Sequence, residues 1–453
     1  MDFNLNNMKK EVLLFIVFLV MVSCDILEPE PQQQLSSEGA LVDAASVEGV
    51  ILGAYSLMQD PEYYGAEYIL NFDLIADNAV MEGFFDSQLE FDNQAVPITN
   101  LWIGEVWPDI YIIINTANLI ITTAPEIDDP NLDIDAVLSE AYAIRGLAYF
   151  DLLRVFGEHY DTSSEFGLPL LLEPIPNNDF NEIPDLGRSS VAETYGQILS
   201  DLDNAISIGA GGTDSGRMNY YAALSLRARV KLYQGDYAGA FADANEVITE
   251  GPYSLEANVL DVYTTTDASS ESIFEVEFNS QDESDLFTFT LFRNEYNVDL
   301  DLLESFEEGD LRANLFVSNS AGTINESNKY PDPVNSNNAK VFRLPELYFI
   351  RSEAAVMRDN DPNVGTGDLN VVRTRAGLPD LGTFASMDEY IEALQYERRA
   401  ELNFEGHRFF DLVRLGQAQE VLGIESFRRV LPIPRDELQV SDNLVQNPGY
   451  GSE

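Results

Sequence analysis

Gln234-Gly235-Asp236-Tyr237, followed at intervals by Ala240, Ala244 and Pro252, is the stretch on which the fold turns. Glycine adopts positive φ without a Cβ penalty, so Gly235 suits a tight turn between two helices. Ala240 and Ala244 lie four residues apart on one helical face and are small enough to let a neighbouring helix cross closely. Pro252 cannot continue a helix and marks where the second one stops. The residues before the turn, 219–233, carry helical periodicity. The stretch therefore reads as two antiparallel helices joined at Gly235.

The spacing is that of a known helix-pair repeat. With Tyr237 at position 17 of a 34-residue tetratricopeptide unit, Gly235, Ala240, Ala244 and Pro252 fall at positions 15, 20, 24 and 32. Working outward, residues 40–59 give an apolar side through Leu41, Ala44, Ala45, Val50, Ala54 and Leu57, stopped before Pro61. Residues 107–121, 137–156 and 190–208 read as helices too, as do about 345–358, 366–376 and 387–417. Other copies of the repeat are degenerate. The predicted fold is mainly α, a tetratricopeptide-like helix-pair superhelix with an irregular, loop-rich part and a few short strands.

The irregular part lies between about 253 and 340. Ser272 to Asn279 alternates apolar Ile273, Phe274, Val276 and Phe278 with acid, which predicts a strand with one wet face. Asn319 to Asn338, rich in Ser, Asn, Asp, Gly and Pro, reads as loop. Irregular tracts on a rigid scaffold are where binding surfaces usually lie.

The chain has 453 residues, with 25 Lys+Arg against 78 Asp+Glu, a formal net charge of −53. Nucleic acid is excluded as a partner, because phosphate binding needs a basic face. Hydrophobic residues make up 45%, enough to fold, so the acid coats a globular surface. Of the cations most are Arg, the residue suited to fixed bidentate pairs with carboxylates. One cysteine excludes intramolecular disulfides and Cys-based zinc sites.

That cysteine is informative by position. Lys9 and Lys10 precede an apolar run from Val12 to Val22, too short to span a bilayer and of signal-peptide length. The run ends Met21-Val22-Ser23-Cys24, which resembles a bacterial lipobox, with Met21 departing from the usual Leu. Residues 1–23 are expected to be a signal peptide and Cys24 the lipidated N-terminus. Residues 24–39, with Asp25, Glu28, Pro29, Glu30 and Pro31, form a polar tether. Residues 40–453 form one unit, with a helical scaffold at about 40–252 and 340–430 and the variable part at about 253–340.

The last third carries a family resemblance. Glu397-Arg398-Arg399-Ala400-Glu401-Leu402-Asn403-Phe404-Glu405-Gly406-His407-Arg408-Phe409-Phe410-Asp411-Leu412-Val413-Arg414-Leu415-Gly416 resembles the signature helix hairpin of the SusD/RagB family of nutrient-binding lipoproteins. Leu431-Pro432-Ile433-Pro434-Arg435 and Gln446-Asn447-Pro448-Gly449-Tyr450 resemble that family's C-terminal end. Trp107, Tyr111 and Ala117-Asn118, then Arg145 to Phe150 with Arg154-Val155-Phe156-Gly157, and Leu369 to Leu378 are similar to further family stretches. The resemblance spans the mature chain. It implies an outer-membrane lipoprotein on the outside of a Bacteroidetes cell, seated as a lid on a SusC-like TonB-dependent transporter. It implies that the protein hands oligosaccharides, or in some branches peptides, to that barrel, with membrane contact through the lipid alone. It implies no catalysis and no cofactor.

A sugar ring needs an exposed aromatic platform beside polar side chains. Trp102 falls in a region where family members carry ligand contacts, and it is the first expected platform; Trp107 is assigned to packing. Phe84 and Phe85 make a turn-borne aromatic pair, with Asp77 and Asn78 as hydrogen-bonding partners. Tyr63 and Tyr64, and in the variable part Arg293, Asn294 and Tyr296, complete the expected glycan site. The net acidity disfavours strongly anionic polysaccharides and points to a neutral glucan, fructan or chitin-type oligomer.

Other readings of the acidic residues are weaker. Glu397, Glu401 and Glu405 recur on one helical face with Arg398, Arg408 and Asp411 near enough to pair, so they are expected to form a buried Arg–Glu network. Asp129, Asn131, Asp133, Asp135 and Glu140 follow calcium-loop spacing, but Ile134 stands where the sharp turn requires Gly; Asp133 or Asp135 is instead expected to cap the next helix, and no metal is expected. His159 and His407 have no nucleophile motif beside them. A peptide-capturing member of the same family, a lipoprotein glycosidase and a structural helical adaptor are the alternatives to glycan capture.

Overall fold

The computed structural model describes residues 41–175, 184–209, 212–264, 268–319 and 321–451. The signal segment, Cys24 and the tether lie outside the described residues.

The first part is built from α1 (Ala44–Met58), α2 (Glu67–Leu74), β1 (Ala79–Met81), α3 (Asp86–Asp92), α4 (Leu101–Thr123), α5 (Ile134–Phe156), α6 (Val191–Ile208), α7 (Tyr220–Gln234) and α8 (Tyr237–Glu250). The irregular part contributes α9 (Asp261–Thr264), β2 (Ser272–Val276), β3 (Tyr296–Val298), α10 (Leu300–Ser305), β4 (Phe316–Ser318), β5 (Ile324–Ser327) and β6 (Ala339–Arg343). Helices resume with α11 (Leu344–Asp359), α12 (Thr366–Arg375), α13 (Met387–Leu402), α14 (Arg408–Arg414), α15 (Ala418–Leu422) and α16 (Arg435–Val440). Successive helices pack as pairs, α4 on α5, α5 on α6, α6 on α7 and α7 on α8, and the stack continues from α8 onto α11 and from α11 onto α12. This is the expected helical superhelix.

Each start and stop has a local cause. Ser190 and Glu193 close a capping box at the head of α6. Gly235 ends α7 at φ +80°, the left-handed conformation expected of the inter-helix turn. Asp236 then caps α8 by accepting from the Gly239 N–H at 3.0 Å, and Ala240 and Ala244 are buried. Helix α5 is buried without a break from Ala143 to Phe156, as a helix must be at the centre of its stack. Its charges are matched inside: Arg145 forks onto Asp201 at 2.5 and 2.9 Å, and Arg154 bonds Asp151.

The strands form three antiparallel pairs, β1 with β3, β2 with β6 and β4 with β5. Two expectations are corrected here. Strand β2 has no wet face: Glu275 is buried and accepts from Lys340 Nζ at 2.5 Å and Asn338 Nδ2 at 2.9 Å. The expected loop at 319–338 contains β5, which turns back on β4 around Gly322 at φ +84°.

The signature segment is also not one helical run. It breaks after Leu402, where the Asp73 carboxylate accepts the N–H groups of Phe404 and Gly406 at 2.9 and 2.8 Å. Phe404 and Gly406 both take positive φ, and a Cβ on Gly406 would stand 3.2 Å from the Ile69 Cα. The expected Arg–Glu network is present. Glu397 accepts from Arg312 and Arg373, both at 2.8 Å, and Glu401 from Arg343 and Arg375, both at 2.6 Å. Glu405 accepts from Arg343 Nε at 2.7 Å, Lys329 at 2.6 Å and the Tyr263 hydroxyl at 2.6 Å. Burial alone would raise the Glu401 and Glu405 carboxyls, but the surrounding cations outweigh it and hold both below the usual range. Arg398 pairs with Asp411, whereas Arg408 reaches Asp77.

Candidate functional site

Two distant segments meet in the pairing of β1 with β3, which sets Met81 opposite Tyr296 and Ala79 opposite Val298. The pairing extends by one more bond, from the Glu82 N–H to the Glu295 carbonyl at 2.9 Å. The turn after β1 thereby lies against the turn before β3. A cleft of about 530 Å³ opens there, bordered by Glu62, Glu67, Phe85, Trp102, Arg293 and Tyr296. Its floor is made by the core and its rim by the two turns.

Phe85 stands at that rim, and Phe84, outside the bordering residues, stacks on it. Phe84 and Phe85 are 83% and 42% exposed, with centroids 5.2 Å apart and planes 25° from parallel. A stacked, solvent-facing pair of rings is costly to leave in water and suited to covering an apolar ligand face. Arg293 lies across the cleft, its side chain 50% exposed, 4.0 Å from Glu295 and over the Phe289 ring at 5.9 Å. Asn294 takes φ +55°, the left-handed turn that swings the chain from the Thr288–Phe292 helical turn into β3; it is not among the residues bordering the cleft.

The other expected contacts are corrected by burial. Trp102 is 1% exposed: it lies in the first turn of α4 because Asn100 caps that helix six residues earlier than the pattern suggested. Its indole N–H donates to the Glu62 carbonyl at 2.7 Å, and its ring meets Phe91 edge-on at 5.3 Å. It supports the cleft wall from within the core rather than standing out as a platform. Trp107 is buried as expected, edge-on to Phe156 at 4.9 Å. Tyr63 and Tyr64 are buried, their hydroxyls donating to Asp151 at 2.6 and 2.7 Å. Tyr296 is buried in the cleft floor with its hydroxyl on Asn71 at 2.8 Å. Asp77 and Asn78 belong elsewhere: Asp77 holds Arg408 at 2.7 and 2.8 Å, and Asn78 is buried between Asp73 and Arg399. Neither is available to a ligand in the cleft.

The acidic side of the cleft went unnoticed in the sequence. Hydrogen bonding to Asp60, then burial, pushes the Glu62 carboxyl up to about 8. Burial, then the Glu105 charge, pushes Glu67 up to about 7. Outside the cleft, Asp109 rises to about 6 through burial and the charges of Asp60 and Glu105. Asp60, Glu62 and Asp109 offer carboxylate oxygens within 4.8 Å of one another. Acids separated by tens of residues give no local signal that they will converge.

A larger cleft of about 870 Å³ runs beside the Gly235 turn, between α7, α11, α13 and α14. Its arginines are already committed, Arg399 to Asp77 and Asp301, Arg408 to Asp77 and Arg414 to Glu353 and Asp411. The smaller cleft, bordered by Phe85 of the exposed pair, has the chemistry of a ligand site. The calcium-spaced acids are occupied structurally: Asp133 caps α5, Asp129 accepts from the Ala44 N–H at 2.9 Å, and Glu140 pairs with Arg217. Neither histidine borders the cleft, and burial, then Arg154, holds His159 near 3.

Comparison with known proteins agrees with this architecture. Residues 316–428 match the SusD family model, and residues 25–232 match a model described as starch-binding associating with outer membrane. A SusD-like protein of Formosa agariphila is 25% identical across 98% of this chain and 100% of its own. A SusD superfamily protein of Bacteroides thetaiotaomicron superposes with a TM-score of 0.78 at 26% identity, covering 90% of this chain and 100% of that one. A laminarin-binding SusD-like protein superposes equally well, TM-score 0.78 at 25% identity, with 90% and 100% covered. Family models at both ends, relatives matched along their whole length and the shared helical superhelix together place this chain in the SusD/RagB family.

Proposed function

We propose that this protein captures oligosaccharide at the Phe84–Phe85 cleft on the outer face of the outer membrane, anchored by lipid at Cys24, and passes it to a SusC-like TonB-dependent transporter. The observation that carries the proposal is the stacked, exposed Phe84–Phe85 pair, of which Phe85 borders a cleft of about 530 Å³. Sugar rings offer flat C–H faces that stack on aromatic rings, while equatorial hydroxyls reach the polar wall. Arg293 is the donor placed to meet them.

The family supports carbohydrate binding, and a relative of the same fold is a laminarin binder. Among the described residues no helix is long and apolar enough to cross a membrane. The cleft is bordered by aromatic rings and carboxylates, and because glycoside hydrolysis needs only a pair of carboxylates, turnover is measured beside binding.

The test is a screen of the protein lacking residues 1–24 against neutral, amino and acidic glycan panels and a peptide panel, with reducing-end release followed in parallel. Saturable binding without release is expected. Release of sugar would make the protein a glycosidase, and binding of peptides alone would assign the cleft to peptide capture.

A further inference from the structure

The acids of the cleft are matched differently from most of the buried acids of the molecule. Several buried or half-buried carboxylates elsewhere meet an arginine fork, Asp201 with Arg145, Glu346 with Arg229, Asp368 with Arg351 and Glu353 with Arg414, with contacts of 2.5 to 2.9 Å, while buried Asp73 is held instead by Asn78 and backbone N–H groups. Glu62, Glu67 and Glu105 border the cleft and make no ion pair among the described residues. The cation among the bordering residues is Arg293, which leans to Glu295 at 4.0 Å.

The mismatch has an electrostatic consequence. Glu67 is raised by its own burial and then by Glu105, and Asp285 and Glu295 add to it; Gln88 alone relieves it by a hydrogen bond. Glu105 is raised by burial and then by Asp60. Acids crowded here without an internal counter-charge retain protons that a bound cation would displace, within a cleft whose low-dielectric walls strengthen each interaction.

We propose that the cleft selects oligosaccharides that carry amino groups, with partly or fully de-N-acetylated hexosamine chains as its ligand class, and rejects polyanionic glycans. This rests on the carbohydrate-binding reading of the cleft given above. A sugar stacked on Phe84 and Phe85 presents its ring substituents to the wall formed by Glu62, Glu67 and Glu105. An ammonium there supplies the counter-charge that the fold omits. A uronate or sulfate would add a like charge to carboxylates already crowded together.

The experiment is calorimetric titration with five tetramers at low and high salt, the sugar amines being protonated. The probes are a β-linked glucosamine tetramer, its N-acetylated counterpart, a neutral β-glucan, a galacturonate and tetralysine. The glucosamine tetramer should bind about ten-fold more tightly than the two neutral tetramers, galacturonate should not bind, and the advantage should collapse at high salt. Glu67→Gln/Glu105→Gln should abolish the preference. Glu105→Gln alone, on an exposed side chain, should reduce it in the same direction. Equal binding of aminated and neutral tetramers would overturn the charge selection and leave the carbohydrate site standing. Failure of every saccharide would overturn both, and binding of tetralysine alone would assign the acidic wall to basic peptides.

Discussion

Replacing Trp102 with alanine distinguishes a buried support from a ligand platform, and its cost follows from the packing. The side chain is 1% exposed, meets Phe91 at 5.3 Å and Phe72 at 5.8 Å, both edge-on, and donates its indole N–H to the Glu62 carbonyl. Truncating a buried tryptophan costs about 3–5 kcal/mol through lost burial and the cavity left behind. The unfolding entropy of a chain this size is close to 1 kcal/mol/K, at ~2.1 cal/mol/K per residue, so the melting temperature should fall by about 3–6 °C. Trp102→Phe keeps much of the ring packing and loses the hydrogen bond, so it should cost about 1–2 kcal/mol. Thermal melts of the two variants beside the wild type give the answer. If Trp102→Ala melts within a degree of the wild type and loses glycan binding, Trp102 is a platform after all and the burial argument is wrong.

Gly235→Val should cost about 1–3 kcal/mol, because φ is +80° there and the strain is in the backbone: an added Cβ would meet nothing closer than the Tyr237 hydroxyl oxygen at 3.9 Å. Gly235→Asn should cost less, since Asn tolerates the left-handed region, and an unchanged denaturation midpoint for Val would contradict the turn assignment. Glu67→Gln should stabilise the protein at pH 8. Its folded carboxyl lies near 7 against an ordinary 4.5, so its contribution is fully present below pH ~4.5 and is lost as pH rises through ~7. The variant should gain about 2 kcal/mol over the wild type at pH 8 and nothing near pH 4.5, and denaturant curves showing a pH-independent difference would refute the assignment. Cys24→Ala should abolish incorporation of labelled fatty acid and leave the melt of the folded domain unchanged; equal labelling would end the lipobox reading.

What the sequence made legible was local. Gly235, Ala240, Ala244 and Pro252 act on their own turn and helix, so their spacing revealed the helix pair directly. The Glu397, Glu401 and Glu405 series was readable as a network because three acids at four-residue spacing need cations whatever the fold. None of the suggested partners in that segment pairs with the three glutamates: Arg398 takes Asp411 and Arg408 takes Asp77, while Arg312, Arg343, Arg373, Arg375 and Lys329 come from elsewhere in the chain.

Trp102 was misread because the helix was expected to begin at 107, just before Pro108. Helix α4 instead runs through it, at the expense of a partner for the Gly104 carbonyl, and Gly104 lies on an exposed face. The single run at 387–417 was misread because its breaker is Asp73, more than three hundred residues earlier in the chain. The site was named in pieces. Phe84, Phe85 and Arg293 were each picked out, but their meeting depends on the β1–β3 pairing, and three-residue strands give no periodicity to read.

The most direct test of the central claim is titration of the Phe84→Ala/Phe85→Ala variant with the oligosaccharide that binds the wild type best, beside its thermal melt. Two rings that are 83% and 42% exposed contribute little to the core, so the melting temperature should stay within about 1 °C of the wild type. Loss of the stacking surface should weaken binding by about 1–3 kcal/mol, roughly five- to two-hundred-fold. Wild-type affinity in the double variant would contradict the account, because the cleft between β1 and β3 would then not be where the ligand sits.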